Sequence, residues 1–294
     1  MKSSTKHGMF VAGGVAAAAA GVVTVGMLRW SRATKQAVQR LVTSLPHSTA
    51  DSPSNDLALL PAPVARYFAY ALPSDQRPIA RARIASAGTF LTKRGAKRSP
   101  FVADQNFVVD PPGFVWDADI IMAPLVSVRV RDSYLDGEGA MLARAVGVIP
   151  VADQHGSTEM ADASLQRYLA EAVWFPTALL PCAGVTWTPI DDYSARATIT
   201  DRGNTVSVEF NFGAEGQING FSAIRNRDVS GTAVPTPWRG RVWDYERVDG
   251  MMVPRAGEVE WTLADGPLTY WRGHITRVTY EYVAPAVADH VGAR

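Results

Sequence analysis

The chain has 294 residues, enough for one large domain with a substantial core or for two small domains. Its 29 Lys and Arg residues balance 28 Asp and Glu residues, which leaves a net charge of +1 and predicts no broad basic surface for nucleic acid. The single cysteine, Cys182, excludes an internal disulfide and a cysteine-cluster metal site.

The N-terminal region contains an uncharged, Ala- and Gly-rich stretch over residues 8–28. As a helix it would span roughly the 30 Å of a bilayer's hydrocarbon core, and Trp30 follows it where an interfacial aromatic is expected. Residues 1–30 are therefore predicted to be a transmembrane helix that anchors the chain in the cytoplasmic membrane. The alternative is a cleaved signal peptide, although the apolar stretch is longer than the usual apolar region of one.

A polar linker and a folded body follow. Residues 31–56 start with a possible helix and continue as a Pro- and Ser-rich segment without apolar periodicity, as linkers do. The body is predicted over residues 57–283 and a disordered tail over 284–294. It opens with a helix, because Val64, Tyr67 and Phe68 recur at helical spacing.

Most of the body reads as strands separated by turn signals such as Asp-Gly. The clearest alternation runs from Val206 to Phe212 and predicts a strand with one buried and one exposed face. A helical segment over 164–175 interrupts the strands. We therefore expect an α+β fold: a long, curved antiparallel sheet that forms a half-barrel, with helices packed on its concave face.

Several segments resemble an uncharacterised bacterial family, a domain of unknown function whose members often carry an N-terminal membrane segment. The resemblance covers residues 57–282 and is carried by LPAPVARYF, FVWDADI, VRDSYLDGEG, RYLAEAVWFPTALLP, VPTPWRGRVWDYERVDGMMVPRAGEVEW and GPLTYWRG. The strand–turn–strand pattern of residues 245–261 is also similar to lipoprotein carriers of the LolA type. That second similarity implies a half-barrel that encloses an apolar cavity for acyl chains.

The resemblance and the charges disagree about location. A carrier-like body is expected outside the cytoplasmic membrane, and this is the location we predict. The slight excess of Lys and Arg after the apolar stretch favours a cytoplasmic body by the positive-inside rule.

The helix over 164–175 is the segment most relevant to function. Its apolar stripe predicts packing on the sheet, either as ordinary core or as the wall of a cavity. Arg167 and Glu171 are four residues apart and are expected to pair. We expect Arg129 or Arg131 to contact Glu171 as well, because an unpaired buried charge would be strongly destabilising.

Aromatic and charged residues near this helix define the candidate ligand site. The first hypothesis is a membrane-anchored protein that binds a lipid or another apolar small molecule. The alternatives are an envelope hydrolase that uses Glu171, Asp191 or Asp192, and a structural protein without a small ligand. No catalytic motif, metal site or cofactor is predicted. The candidate ligand-binding residues are Trp116, Arg129, Arg167, Tyr168, Glu171, Trp174, Phe175, Trp187, Trp238, Trp243 and Trp271.

Overall fold

The computed structural model describes residues 4–44, 57–124 and 126–284, and a single 13-stranded sheet forms its centre. The predicted tail beyond residue 284 and the second part of the predicted linker, 45–56, lie outside the described residues. The strands are β1 (Ile79–Phe90), β2 (Ser99–Val108), β3 (Gly113–Ala123), β4 (Val126–Leu135), β5 (Glu138–Ala145), β6 (Ile149–His155), β7 (Val185–Asp191), β8 (Ser194–Asp201), β9 (Asn204–Phe212), β10 (Ile218–Val229), β11 (Thr232–Val248), β12 (Met251–Leu263) and β13 (Gly266–Tyr282).

The sheet consists of two meanders joined at its centre. Its order is β6-β5-β4-β3-β2-β1-β13-β12-β11-β10-β9-β8-β7, and all neighbours are antiparallel. Several turns use the predicted pairs: Asp136 and Gly137 both have positive φ, as do Asp249 and Gly250. Such pairs match the right-handed twist of the strands they join. The prediction of a meandering antiparallel sheet is confirmed.

Contacts across the sheet show that it is strongly curved. Tyr134 on β4 donates a hydrogen bond of 2.7 Å to Asp201 on β8. These strands are nine positions apart in the sheet order, which would separate them by about 43 Å in a flat sheet. The sheet therefore curls until its two halves meet at this end.

Two helices fill the concave side. Helix α3 (Thr158–Glu171) connects the edge strands β6 and β7 and contacts β4 and β5 of one half and β9 and β10 of the other. It begins earlier than the predicted residue 164, because Ser157 caps it by accepting a hydrogen bond from Met160 N at 3.1 Å. Short 3-10 turns follow it to residue 183. Helix α2 (Ala62–Ala71) packs on β8 and β12, with the predicted Val64, Tyr67 and Phe68 buried.

Gly139 on β5 allows α3 to approach the sheet closely. A Cβ atom at this position would overlap the Met160 carbonyl group and lie 2.7 Å from Ser164 Oγ. We expect Gly139→Ala to lower the free energy of unfolding by about 1–3 kcal/mol, because the helix must move away from the strand. Chemical denaturation measures this loss. Glu138→Ala, on the exposed neighbouring residue, is the control, and an equal loss in both variants would contradict the explanation.

Helix α1 (Ser4–Thr43) packs its C-terminal half on the opposite, outer face of the sheet. Trp30 is buried there, and its indole N–H donates to Asp117 at 2.9 Å. Leu41 packs against Val108 and Val115. The expectation that Trp30 lies at a membrane interface is therefore wrong, because the sheet covers this side chain. The first part of the predicted linker is likewise helical and in contact with the body.

The stretch predicted to span the membrane, residues 8–28, lies within α1. Among the residues that the structure describes, no helix combines the length and the apolar character that a membrane crossing requires.

Candidate functional site

A cavity of about 560 Å³ lies between α3 and the concave face of the sheet. Its walls come from β1–β6, from β10–β13 and from α3, so both halves of the sheet contribute. Helix α2 packs elsewhere, on β8 and β12. The volume is within the range of roughly 300–1,000 Å³ that is usual for small-molecule sites. Aliphatic side chains form much of the lining: Ile84, Ile120, Val130, Val242, Val259 and Ile275.

Five tryptophans give the cavity an aromatic wall. Strand alternation turns the sheet residues among them inward, and Trp174 follows the end of α3. Trp174 and Trp271 have ring centroids 6.3 Å apart, and Trp261 is stacked on Tyr270 at 5.8 Å. Large rigid rings of this kind can cover much of the apolar surface of a bound ligand and lose little conformational entropy. The five are Trp116, Trp174, Trp238, Trp261 and Trp271.

An ion cluster centred on α3 lines the same cavity. Arg167 binds Glu171 at 2.9 Å and Asp132 of β4 at 2.5 Å. Gln105 of β2 donates to the other oxygen of Glu171 at 2.7 Å. The guanidinium also lies over the Trp116 ring, 4.9 Å from its centroid. One charged helix residue thus ties α3 to strands that are distant in sequence.

The cluster is mostly buried, which affects how its groups ionise. Side-chain exposure is 16% for Arg167 and 14% for Glu171. Burial alone would lower the pKa of Arg167, but Glu171 and Asp132 outweigh it and raise that pKa above its ordinary value. Burial raises the pKa of Glu171, and the bonds from Arg167 and Gln105 offset this only in part. Arg167 therefore stays charged, and Glu171 is the member of the pair that takes up a proton more readily.

The sequence profile of a family of unknown function, DUF6920, matches residues 58–280. The chain belongs to this family. The predicted membership of an uncharacterised family is therefore confirmed, and the match brings no activity with it. None of the curated proteins matches the chain.

Solved structures give distant similarities to this DUF6920 member. A LolA superfamily protein from Nitrosomonas europaea is 11% identical, with 76% of this chain and 93% of that one covered, at a TM-score of 0.32. A DUF1329 family protein from Desulfovibrio piger is 12% identical over 69% and 86%, with a TM-score of 0.37. A beta-barrel-like DUF1849 protein from Brucella abortus is 12% identical over 70% and 100%, with a TM-score of 0.27.

Six of the eleven candidate residues of this DUF6920 member line the cavity. The other five lie elsewhere. Tyr168 and Phe175 are fully buried in the core behind it, and Trp187 packs on Phe210 of β9. Trp243 is 37% exposed on β11, and Arg129 pairs with Asp117 at 2.8 Å. The six that line the cavity are Trp116, Arg167, Glu171, Trp174, Trp238 and Trp271.

The expected partner of Glu171 is wrong. Arg131 lies over the ring of Trp30, which places it on the outer face, and Arg129 has the same parity along β4. Alternation turns Asp132 inward instead, where it binds Arg167. The signal was present in the sequence, because Val128, Val130 and Asp132 share one face of β4.

Sequence reasoning also missed Gln105, Arg225, Arg227 and Tyr270, which all line the cavity. The two arginines are two residues apart on β10 and share a face with Phe221. That spacing, on a strand whose other inward residues are apolar, was the available signal.

The carboxylates proposed for a hydrolase do not converge. Glu171 lines the cavity, whereas Asp191 and Asp192 are exposed at the β7–β8 hairpin and do not line it. Asp191 accepts a hydrogen bond from Tyr193 N at 2.8 Å, so it stabilises the turn. Among the described residues, no group of three or more His, Cys, Asp or Glu side chains is placed to hold a metal ion.

Proposed function

We propose that this protein binds an apolar small molecule, such as a lipid acyl chain, in the cavity between α3 and the sheet. The observation that carries the proposal is the cavity itself: about 560 Å³, lined by aliphatic side chains and five tryptophans. A protein interior is normally close-packed, and a space of this size bordered by apolar groups is costly unless a ligand fills it.

One buried polar group supports the proposal that a ligand occupies the cavity. Trp174 is 6% exposed and lines the cavity, and its indole N–H has no partner among the described residues. Buried indole N–H groups normally have an acceptor. A ligand oxygen, or a water molecule held beside the ligand, supplies that acceptor.

Binding is tested with the full-length protein and a neutral fluorescent probe, N-phenyl-1-naphthylamine. We expect saturable binding, with energy transfer to the probe from the tryptophans of the wall. Probe fluorescence that rises without saturation, or no energy transfer, would overturn the proposal and favour a structural protein without a small ligand.

A pair of valine variants locates the bound probe. Val130 lines the cavity, so Val130→Phe fills part of it and should weaken probe binding about tenfold or more. Val102→Phe is the matched control, because Val102 is 58% exposed and does not line the cavity. Equal binding by the two variants would show that the probe binds somewhere else.

A further inference from the structure

Two arginines of the cavity have no acidic partner among the described residues. Arg225 and Arg227 lie on β10 and line the cavity, and neither forms an ion pair with any residue in the described part of the chain. Arg225 donates a hydrogen bond from Nε to the Ala163 carbonyl oxygen at 2.9 Å. Its two terminal nitrogens have no hydrogen-bond partner among the described residues. The Nε of Arg227 is buried and has no hydrogen-bond partner in the part of the chain that the structure describes.

The carboxylates that line the same cavity are already engaged. Asp132 and Glu171 bind Arg167, and Glu258 is held between Arg241 and Arg272. Asp228 accepts a hydrogen bond from Gly231 N at the β10–β11 turn. The cavity therefore contains guanidinium N–H groups that have no acceptor among the described side chains. Keeping such groups away from water without an acceptor costs free energy.

The surroundings hold Arg225 in position. Its guanidinium lies over two rings, 5.0 Å from the centroid of Trp238 and 5.6 Å from that of Trp261. Trp238 is itself fixed by a 2.9 Å hydrogen bond from its indole N–H to the Tyr270 hydroxyl. A guanidinium oriented in this way presents parallel N–H groups, the geometry that matches the two oxygens of a carboxylate or phosphate.

We propose that the ligand is an amphiphile, with an apolar chain in the cavity and an oxyanion head bound by Arg225 and Arg227. The proposal rests on the proposed function and adds the chemical class of the ligand. The aliphatic and tryptophan walls take the chain, and the two guanidinium groups of β10 take the head. A long-chain carboxylate and a monoacyl phosphate share this chemistry.

The test compares heads on one chain. Four ligands compete with N-phenyl-1-naphthylamine for the full-length protein: oleate, oleoyl lysophosphatidate, oleyl alcohol and methyl oleate. Each is used below its critical micelle concentration or its solubility limit. We expect at least one of the two anionic ligands to displace the probe at about tenfold lower concentration than the alcohol or the ester. The stronger of the two identifies whether the head is a carboxylate or a phosphate.

Variants assign the effect to the arginines. Arg225→Gln combined with Arg227→Gln should abolish the preference for the anionic head, measured as the ratio of the concentrations at which the anion and oleyl alcohol displace the probe. Arg225→Lys should retain part of the preference. Arg83→Gln is the control, because Arg83 pairs with Asp104 and does not line the cavity.

The outcomes separate this inference from the proposed function. If the probe does not bind the wild-type protein, the proposed function fails. If the probe binds and all four ligands compete equally, only the proposed oxyanion site is contradicted. This comparison uses the wild-type protein alone, so it does not depend on whether a variant folds. An equal loss for the anion and the alcohol in the double variant would also overturn it, because that loss indicates a structural role.

Discussion

Replacing Arg167 with methionine is expected to lower the free energy of unfolding by about 3–5 kcal/mol. The variant leaves Asp132 and Glu171 without their common counter-charge in a site where side chains are at most 16% exposed. It also removes the stacking on Trp116. Chemical denaturation at neutral pH measures the loss.

The loss should depend on pH with a definite sign. Burial already raises the pKa of Glu171 above its ordinary value of 4.5, and removing Arg167 removes the main influence that opposes this. A carboxyl whose pKa is raised on folding stabilises the fold most below its unfolded pKa, and loses that contribution as the pH rises through the folded value. The variant should therefore recover stability relative to wild type as the pH falls towards 4.5.

Two further variants test whether the loss comes from the unpaired carboxylates or from packing. Arg83→Met breaks an exposed pair with Asp104, whose side chains are 56% and 50% exposed, and should cost at most about 1 kcal/mol. Adding Asp132→Leu and Glu171→Met to Arg167→Met removes the whole cluster and should restore much of the stability. If the triple variant is no more stable than Arg167→Met alone, the loss comes from packing and not from the unpaired carboxylates.

Phe175→Ala is expected to lower the free energy of unfolding by about 3–5 kcal/mol without changing the ligand preference. Phe175 is fully buried between Phe107, whose ring centroid is 4.4 Å away, and Tyr168 at 5.7 Å. It does not line the cavity, so its removal leaves a separate void in the core. Thermal and chemical denaturation measure the loss, and the naphthylamine probe measures binding.

The neighbouring tryptophan is the matched comparison. Trp174 lines the cavity, so Trp174→Ala enlarges a space that is already present and should destabilise the protein less than Phe175→Ala. It should, however, change probe affinity and reduce the energy transfer to the probe. A larger stability loss for Trp174→Ala with unchanged probe binding would show that Trp174 is a core residue and not a cavity wall.

Part of the candidate site was predictable from local sequence. The pairing of Arg167 with Glu171 follows from a spacing of four in a helix, and the structure places the two side chains 2.9 Å apart. The inward direction of Trp116 follows from the alternation of β3. The inward direction of Asp132 could also be predicted, because Asp132 shares a face of β4 with Val128 and Val130. Its pairing with Arg167 could not, because that contact depends on where α3 packs on the sheet.

Periodicity and backbone preference within a few residues predicted most of the strands, the Asp-Gly turns with positive φ and the helices on either side of the first meander. The edge strands β6 and β7 were not predicted. Which side chains of distant elements face each other depends on how the sheet curves and where the helices pack. The curvature brings Tyr134 to Asp201, and the packing of α3 places Gln105 beside Glu171 and Ala163 beside Arg225. The packing of α1 on the outer face of the sheet also buries Trp30. These contacts join residues 62 to 87 positions apart, and local preferences along a strand or helix carry no information about such pairings.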